Sequence, residues 1–381
     1  FRTTRKRIRV DISFLNLFMD KIIIIFGTRP ELIKLAPVID EFTQRGQRSR
    51  LHIVNSGQHH TMTTQDMEYF GIQPDYTFTL PRNDDSLLNL HGQLLLEFYK
   101  MHNALTDLAI TPIAVIAQGD TCTSFCSAQY AFYEHIPFAH VEAGLRTHDF
   151  STPFPEEYYR KTISSLASIH FAPTSSALTN LLDEGITPAS IFVTGNTAID
   201  NLRKYAEENP LAEKKRNGTG KVLITIHRRE NIKENLPAII DRVNSYCEKY
   251  KTKTFLWLDN PGYKIKTMVN GHHKNLSVVQ PVSFSEMIRI YRDTDLIITD
   301  SGGIQEEACY LGIPSLIYRS KTERTESITE GISKYISDFD EDLDIVMQSL
   351  NGNRRAGHNT LYGDGYASKM IVDTLVSRGM I

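Results

Sequence analysis

Three carboxylates near predicted strand ends are the residues of this sequence best suited to chemistry. Asp120 follows the apolar run IAVIAQG, Glu142 follows PFAHV, and Glu156 falls in the loop after TPFP. In an open parallel sheet, ligands bind in the crevice beyond the carboxyl ends of the strands, where separate loops converge. Two groups that add and remove protons are the usual requirement of acid–base chemistry. The segment 118–157 therefore predicts an acid–base site, and no metal-ligand spacing or nucleophile motif competes for it.

A first candidate phosphate-binding turn is GTRPE, at 27–31, between a predicted strand and a helix. Gly27 permits a sharp turn there, and Arg29 and Lys34 lie near the helix start. Helix N-termini attract phosphate, and these two cations would strengthen the attraction. A solvated helix start explains the same residues equally well. The turn lacks the G-x-G-x-x-G fingerprint, which argues against a nicotinamide cofactor.

A second candidate turn is DSGGIQEE, at 300–307, after another predicted strand. Ser301, Gly302 and Gly303 open a helix, where free backbone N–H groups would form an anion-binding nest. Glu307 lies one turn into that helix, where its carboxylate would accept hydrogen bonds from two ribose hydroxyls. The alternative is a plain tight turn in which the glycines serve only the backbone geometry.

Two more basic residues follow predicted strands in the same half of the chain. Arg324, in KTERTE, is placed to reach the same phosphates as the second turn. His227, in HRRE, is placed to contact phosphate or to exchange a proton. A lone histidine is more often structural, but its position at a further strand end favours a role in the site.

The bulk composition limits the class of protein. A chain of 381 residues is too long for one typical core, so we expect two domains. The net charge of -3 and the pI near 6.5 give no sign of nucleic-acid binding. The cysteines include no Cys-x-x-Cys pair, so we expect buried small hydrophobic residues in a reducing cytoplasm and no metal site. They are Cys122, Cys126, Cys247 and Cys309.

Apolar runs alternate with amphipathic helical patterns from Lys21 onward, which predicts parallel sheets with helices on both faces. The polar segment 205–221 predicts a linker or an exposed loop, and the alternation restarts after it. We therefore expect two Rossmann-like domains, 19–204 and 205–365, facing each other across a cleft. A last helix at 366–381 fits either domain, including an arrangement in which it packs back on the N-terminal domain. Phosphate-binding turns on both sides of the cleft, with acidic loops between them, suit an enzyme that acts on a nucleotide sugar.

Residues 1–18 are interpreted as an upstream or added segment, because Met19 is followed at once by a predicted strand. The segment is basic and then apolar, but its apolar run is too short for a secretory signal and no small-residue cleavage site follows. No stretch of the sequence reaches the length of a membrane span.

In their order along the chain, the motifs closely resemble those of the non-hydrolysing UDP-N-acetylglucosamine 2-epimerase family. They run from about Lys21 to the C-terminus and are FGTRPELIKLAPVI, SGQH, GDT, HVEAGLRT, PFPEE, FVTGNTAIDNL, HRREN, DSGGIQEEACYLGIPSL, TER and YGDG. Each motif alone is a weak signal, whereas their joint order is specific. Hydrolysing relatives have Gly-Ser-Arg-Ala-Glu where this chain has Gly-Thr-Arg-Pro-Glu, so the resemblance is to the non-hydrolysing members.

The resemblance implies the GT-B fold, with the active site in the cleft between two Rossmann-like domains. It also implies a reaction in which UDP leaves with loss of the C2 proton, giving 2-acetamidoglucal, and then re-adds with protonation on the opposite face. No redox cofactor and no metal ion are implied. Asp120, Glu142 and Glu156 match the acid–base carboxylates, and His227 is given a catalytic role beside them. The positions that match UDP contacts are Arg29, Lys34, His227, Ser301, Gly302, Gly303, Glu307 and Arg324.

This chain departs from the family pattern at three places outside the acid–base set. The segment LDNP, at 258–261, replaces a His-Leu-Asn-Pro segment, and Arg82-Asn83 replaces an Arg-Gln pair. Thr325 replaces the proline of a TERPE motif. The first two positions belong to a second substrate site that activates many bacterial members. We therefore expect activation by substrate to be weak or absent.

Three rival functions fit parts of the pattern. A GT-B glycosyltransferase shares the fold and the donor but has no need for three carboxylates. An epimerase of a related sugar, such as a 2,3-diacetamido uronic acid or a deoxy-L-sugar, fits the HVEAGLRT and PFPEE spacing less well. A non-catalytic nucleotide-sugar sensor conflicts with the intact carboxylates. We expect a cytoplasmic homodimer that binds a UDP-sugar, binds neither nucleic acid nor membrane, and supplies ManNAc-type sugars for cell-surface polysaccharide.

Overall fold

The computed structural model describes residues 19–58, 61–81, 86–208, 220–259, 265–269, 273–319, 321–336 and 359–381. Two all-parallel sheets with helices packed on them account for most of these residues. The predicted α/β fold with two Rossmann-like halves is therefore confirmed. Among the described residues, no helix is long and apolar enough to cross a membrane.

The strands divide between the two sheets in chain order. The first sheet contains β1 (Met19–Phe26), β2 (Leu51–Asn55), β3 (Tyr76–Thr77), β4 (Ile110–Gln118), β5 (Phe138–Val141), β6 (Ile169–Ala172) and β7 (Ile191–Val193). Its spatial order is β3-β2-β1-β4-β5-β6-β7. The second sheet contains β8 (Lys221–Thr225), β9 (Thr254–Leu258), β10 (Leu276–Val279), β11 (Leu296–Thr299), β12 (Ser315–Ile317) and β13 (Ser333–Tyr335). Its spatial order is β10-β9-β8-β11-β12-β13.

The helices connect these strands. In the first half they are α1 (Arg29–Gln44), α2 (Thr61–Phe70), α3 (Leu87–Asp107), α4 (Cys122–Tyr133), α5 (Glu156–Leu166), α6 (Ser175–Asp183) and α7 (Thr197–Glu208). In the second half they are α8 (Arg229–Lys249), α9 (Ile265–Met268), α10 (Phe284–Asp293), α11 (Gly302–Tyr310) and α12 (Glu326–Thr329). The last helix is α13 (Ala367–Ser377). We call the first sheet with α1–α7 and α13 the N-terminal unit, and the second sheet with α8–α12 the C-terminal unit.

Strand β1 shows why the predicted strands are continuous apolar runs. Residues 22–26 are fully buried, because helices cover both faces of the sheet. Ile22 and Ile24 pack in one hydrophobic cluster with α1, and Ile23 and Ile25 pack in another with α3 and α4. Both faces of β1 therefore need apolar side chains, and a polar residue at any of these positions would be buried without water.

The C-terminal helix α13 packs on the N-terminal unit. Its residues Ile371 and Leu375 are fully buried in the cluster that also holds β1 and α1. Asp200 of α7 accepts hydrogen bonds from the backbone N–H groups of Ala367 and Ser368, at 3.1 and 2.7 Å, and so caps the start of α13. The last helix thus ties the end of the chain to the first sheet.

The elements differ from the sequence expectations in two respects. The predicted linker at 205–221 is too long, because α7 continues to Glu208; residues 209–219 lie outside the described part of the chain. Glu156 does not lie in a loop but is the first residue of α5. The strands β3, β7 and β13 span only two or three residues each. Segments of this length are too short to show the spacing of apolar residues that indicates a strand in a sequence. The interpreted upstream segment 1–18 lies outside the described residues.

Candidate active site

The candidate site lies where each sheet reverses its strand order. In the N-terminal unit, β1 and β4 are neighbours; the chain continues from β1 to β2 on one side and from β4 to β5 on the other. In the C-terminal unit, β8 and β11 have the same arrangement, with β9 on one side and β12 on the other. Such a switch point opens a crevice at the carboxyl ends of the two strands. Arg29 begins the helix that follows β1, Asp120 lies in the loop after β4, and the loops after β8 and β11 carry His227 and Ser301. Four predicted site residues therefore lie at the two switch points.

Glu31 joins the two loops at the N-terminal switch point. Its carboxylate accepts hydrogen bonds from the backbone N–H groups of Gly27 and Thr28 and from the Thr121 hydroxyl, at 3.0, 2.7 and 2.6 Å. Burial raises the pKa of Glu31 to about 7. A Cβ on Gly27 would lie 1.9 Å from Ser56 Oγ, so close approach of β2 requires glycine here. This packing fixes the loop that holds Asp120.

Asp120 is held as a carboxylate by an arginine. Arg160 of α5 donates to Asp120 Oδ2 from Nε at 2.7 Å and from Nη2 at 2.6 Å. Burial alone would raise the pKa of Asp120, but the charges of Arg160 and Lys34 outweigh it and the pKa is lowered. Arg160 also donates to Glu323 at 3.0 Å, so it connects Asp120 to the C-terminal unit.

Glu156 has the opposite electrostatic environment. Burial raises its pKa, and the neighbouring charge of Asp120 raises it further. Among the described residues, nothing hydrogen-bonds to its buried Oε2 atom. Two nearby carboxyl groups therefore have pKa values displaced in opposite directions, which is the usual arrangement of an acid and a base in one site.

Glu142 is the centre of an ion-pair cluster. Its two oxygens accept hydrogen bonds from Lys34 Nζ, both at 2.6 Å, from Asn196 Nδ2 at 3.1 Å, from Arg324 Nη2 at 3.0 Å, and from the Gln118 amide. Its backbone φ of 66° is unusual for a residue other than glycine and places it in the left-handed region. Strained backbone of this kind is concentrated at functional sites.

Arg324 packs on the start of α11 and binds three carboxylates. It donates to Glu306 at 2.5 Å, to Glu142 at 3.0 Å, and to the adjacent Glu323. A Cβ on Gly302 would lie 2.3 Å from Arg324 Nη1, so the guanidinium group fits only because residue 302 is glycine. Arg324 therefore lies at the predicted anion-binding turn, as expected, but it is already paired with carboxylates.

Glu306 is a buried acid that sequence reasoning did not identify. It is fully buried, and burial raises its pKa to about 7, while Arg324 opposes that shift. Asn196, after β7, donates to Glu306 at 2.5 Å and to Glu142 at 3.1 Å. Glu306 and Asn196 thus extend the cluster from one unit to the other.

The anion-binding nest predicted at residues 301–303 is partly occupied by a contact within the protein. The N–H group of Ser301 donates to the Thr299 hydroxyl at 2.9 Å, so it is not the free donor that the sequence predicted. Gly302 and Gly303 begin α11, and their N–H groups have no acceptor one turn earlier in the helix. Glu307 accepts from the Tyr291 hydroxyl at 2.5 Å, and burial raises its pKa. The nest therefore consists of the two glycines.

His227 and Arg29 make specific contacts in their predicted positions. His227 Nδ1 lies 3.1 Å from buried Asp300, and the histidine side chain is 51% exposed. Arg29 Nε lies 2.5 Å from Asp66, and its Nη2 donates to the Val282 carbonyl at 2.7 Å. Arg29 therefore contacts the C-terminal unit directly instead of lying free at a helix start.

The departures from the family pattern fall partly outside the described residues. Arg82, Asn83, Asn260 and Pro261 lie outside them. Asp259 is buried, and its carboxylate accepts a hydrogen bond from the backbone N–H of Ile265 at 3.1 Å. Its charge is thus used to fix the start of α9. Thr325 precedes α12 as its N-terminal cap position.

Several residues of the site were missed because their partners are distant in sequence. Arg160 follows PFPEE in the chain, and Glu323 precedes Arg324, so both lie beside motifs that sequence reasoning did identify. Glu306 is the neighbour of Glu307 on α11, and only the direction of the helix face decides which of the two enters the cluster. A signal was available for Asn196, since it belongs to the FVTGNTAIDNL motif.

Comparison with known proteins places the chain among nucleotide-sugar epimerases. Residues 42–376 match the family model described as UDP-N-acetylglucosamine 2-epimerase. The chain is similar to the UDP-N-acetylglucosamine 2-epimerase of Neisseria meningitidis, at 34% identity over 378 residues, covering 93% of this chain and 99% of that protein. It is similar to the enzyme of that name from Bacillus subtilis at 32% identity over 368 residues, covering 93% and 95%.

Solved structures show the same likeness. The crystal structure of UDP-GlcNAc 2-epimerase from Neisseria meningitidis bound to UDP-GlcNAc has a TM-score of 0.83 at 33% identity, covering 94% of this chain and all of that one. The Methanocaldococcus jannaschii UDP-GlcNAc 2-epimerase in complex with UDP-GlcNAc and UDP has a TM-score of 0.81 at 32% identity, covering 94% and 99%. Both likenesses extend over the two units and the cleft between them.

Proposed function

Because this chain belongs to the UDP-N-acetylglucosamine 2-epimerase family, we propose that it interconverts UDP-GlcNAc and UDP-ManNAc without hydrolysing either. The observation that carries the mechanism is the pair Asp120 and Glu156, whose pKa values are displaced in opposite directions. A reaction that takes a proton from one face of C2 and delivers a proton to the other needs one charged and one protonated group.

The proposed reaction proceeds by elimination and re-addition. A carboxylate takes the proton from C2 while the bond from C1 to the UDP oxygen breaks, and the electron pair of the C–H bond forms the C1–C2 double bond. The products in the cleft are 2-acetamidoglucal and UDP. UDP then adds back to C1 as an acid protonates C2 on the opposite face, so atoms and charge balance without a redox cofactor.

We assign the base to Asp120 and the acid to Glu156 in one direction, with the roles exchanged in the other. Arg160 keeps Asp120 charged through two hydrogen bonds, which fits a proton acceptor. Burial favours the protonated form of Glu156, whose Oε2 has no partner among the described residues, which fits a proton donor. Both oxygens of Glu142 already accept hydrogen bonds. We therefore assign Glu142 to Lys34 and Arg324, the cations proposed to bind the phosphates, and not to the first proton transfer.

We propose that the diphosphate of UDP replaces protein carboxylates as the partner of Lys34 and Arg324, the two cations in the cleft. Lys34 and Arg324 both bind Glu142, and they come from opposite units. A UDP diphosphate carries more negative charge than one carboxylate and has several acceptor oxygens for the same two cations, and arginine binds phosphate in a bidentate manner. This exchange would keep UDP in the cleft while the sugar reacts. UDP has to stay there because it is a leaving group that adds back to the same sugar.

The rest of UDP is proposed to lie along the C-terminal switch point. The N–H groups of Gly302 and Gly303 are proposed to bind the diphosphate at the start of α11. Glu307 is proposed to exchange its Tyr291 hydroxyl for the ribose hydroxyls. Asp300 orients His227, so that its Nε2 atom is proposed to contact the phosphate or to pass a proton.

The decisive experiment is NMR of UDP-GlcNAc with the purified protein in heavy water and no acceptor sugar. We expect UDP-ManNAc to form, with deuterium at C2 of the product. Product without C2 deuterium would contradict elimination, and release of free UDP and ManNAc would show a hydrolysing enzyme. No reaction without an added acceptor would favour the glycosyltransferase alternative.

We also propose that the protein is a cytoplasmic homodimer that supplies ManNAc-type sugars for cell-surface polysaccharide. The four cysteines are free thiols, which fits a reducing compartment. On α3, Leu88, Leu96 and Tyr99 share one face and are 84%, 53% and 65% exposed. A face of this kind is usually covered in an assembly. Light scattering should give twice the chain mass, and Tyr99→Glu should lower it to the chain mass; a wild-type monomer would contradict the proposal.

A further inference from the structure

One imidazole and two thiols meet between α3 and α4, outside the contacts used in the proposed reaction. His91 of α3 and Cys122 and Cys126 of α4 each offer a ligand atom, and these atoms lie within 4.8 Å of one another. Cys126 Sγ lies 3.6 Å from His91 Nδ1. The two cysteines are four residues apart on one helical face, and the histidine comes from the neighbouring helix. The sequence alone did not predict this cluster, because its third member is remote from the other two.

The dimensions of the cluster suit a small tetrahedral ion. With Zn–S bonds of about 2.3 Å and Zn–N bonds of about 2.0 Å, sulfur and nitrogen ligands of one tetrahedral zinc lie roughly 3.5 Å apart. The distance from Cys126 Sγ to His91 Nδ1 is 3.6 Å. No two ligand atoms of the cluster lie more than 4.8 Å apart. Two sulfur atoms at that distance would need to move about 1 Å closer to reach the sulfur–sulfur distance of a tetrahedral zinc site.

We propose that His91, Cys122 and Cys126 form a zinc-binding site that joins α3 to α4. On binding, each thiol gives up its proton, so one zinc ion releases two protons and the two thiolates neutralise its charge. Cys126 is fully buried and Cys122 is 3% exposed, so the ion would enter an environment in which a neutral complex is favoured. Sulfur and imidazole ligands select zinc over calcium or magnesium, which require oxygen. The fourth position is left to a water molecule, because no fourth His, Cys, Asp or Glu among the described residues joins the cluster.

The site would act on the start of α4. Cys122 is the first residue of that helix, and Thr121, its N-cap, donates to Glu31. The preceding residue is Asp120, so an ion on Cys122 would hold the turn that presents the proposed base. Because the ion binds only the folded chain, it is expected to raise the thermal unfolding temperature. The role is structural, because the ion itself takes no part in the proposed proton transfers.

Cobalt is the spectroscopic probe for this site. Untagged full-length protein is freed of metal with a chelator under reducing conditions and titrated with Co²⁺. We expect thiolate-to-cobalt charge-transfer bands and the intense visible bands of four-coordinate cobalt, saturating at one ion per chain and abolished by one equivalent of Zn²⁺. The unfolding temperature, read by circular dichroism, should rise by several degrees with Zn²⁺.

Two ligand variants and one matched control decide the result. Cys126→Ala and His91→Gln should each lose the cobalt bands and the zinc-dependent rise in unfolding temperature. Cys247→Ala removes an equally buried thiol of α8 and should change neither. His91 is only partly buried, so His91→Gln keeps the test valid if Cys126→Ala fails to fold. Absence of the bands in the wild type, their persistence in His91→Gln, or their loss in Cys247→Ala would overturn the proposal.

Discussion

Arg324 of the C-terminal unit donates from Nη2 to Glu142 of the N-terminal unit at 3.0 Å, so a salt bridge crosses the cleft at the proposed position of the diphosphate. Lys34 binds the same carboxylate at 2.6 Å. Both cations are therefore neutralised by protein carboxylates in this state. In the proposed binding mode, UDP displaces those carboxylates from Lys34 and Arg324 when it enters the cleft.

Glu142→Gln should separate UDP binding from turnover. The amide no longer neutralises Lys34 and Arg324, so UDP is expected to bind about fivefold more tightly, which corresponds to ~1 kcal/mol. Turnover should fall less than in Asp120→Asn or Glu156→Gln, because Glu142 is assigned to Lys34 and Arg324 and not to the first proton transfer. Calorimetry with UDP and an NMR assay measure the two effects. Weaker UDP binding than in the wild type would contradict the exchange, and Glu134→Gln, at the exposed acid that follows α4, is the control.

Asp120→Asn and Glu156→Gln should each lower turnover by about two to four orders of magnitude, because each removes a proton-transfer group. UDP affinity should change little in Glu156→Gln, since Glu156 binds neither Lys34 nor Arg324 in the structure. Exchange of the C2 proton for deuterium should fall in parallel with product formation in both variants. Near-normal turnover in either variant would remove that residue from the acid–base assignment.

Arg160→Gln should shift the acid side of the pH profile. Activity in the direction that uses Asp120 as base is lost as the pH falls through the pKa of Asp120, because the carboxylate becomes protonated. Arg160 lowers that pKa, so removing its charge should raise the pKa and move the acid limb of kcat/KM to higher pH. Arg160→Lys should restore part of the shift. An acid limb at its wild-type position in Arg160→Gln would contradict this role.

Gly302→Ala and Gly303→Ala form a matched pair at the start of α11. A Cβ at residue 302 would lie 2.3 Å from Arg324 Nη1, whereas a Cβ at residue 303 meets nothing within 4 Å. Gly302→Ala should therefore displace Arg324 and weaken UDP binding about tenfold or more, a loss of ~1.4 kcal/mol. Gly303→Ala should fold with equal or slightly higher stability, as expected for glycine replaced by alanine within a helix. Equal UDP affinity in the two variants would contradict the placement of Arg324.

Activation by UDP-GlcNAc is expected to be weak or absent in this enzyme. Asp259 stands in the segment where activated members have a histidine, and its carboxylate is committed to the Ile265 N–H group. Coupling between sites is typically about 1–3 kcal/mol, and the replacements at Asp259 and Asn83 are expected to remove most of it. The measurement starts from UDP-ManNAc alone and then adds a trace of UDP-GlcNAc. Silence followed by activation on that addition would show that the second site is intact.

The sequence alone determined the fold class and the position of most site residues. Continuous apolar runs such as IIIIF predict strands buried on both faces, and the residues that follow them lie by necessity at the carboxyl edge of a parallel sheet. Asp120, His227 and Ser301 were located in this way, because a strand end is a local property of the chain. The resemblance of the ordered motifs then identified the family.

Only the tertiary structure decided the partners and the charge states of those residues. Arg160 and Asp120 are brought together by α5 and β4, and Arg324 and Glu142 by the approach of two units, so no local pattern contains either pair. Which face of α11 turns inward decides that Glu306, and not Glu307, joins the ion-pair cluster around Glu142. The cluster of His91 with Cys122 and Cys126 depends on the packing of α3 against α4. Side-chain contacts and burial set pKa values and ligand geometry, and both are properties of the folded chain.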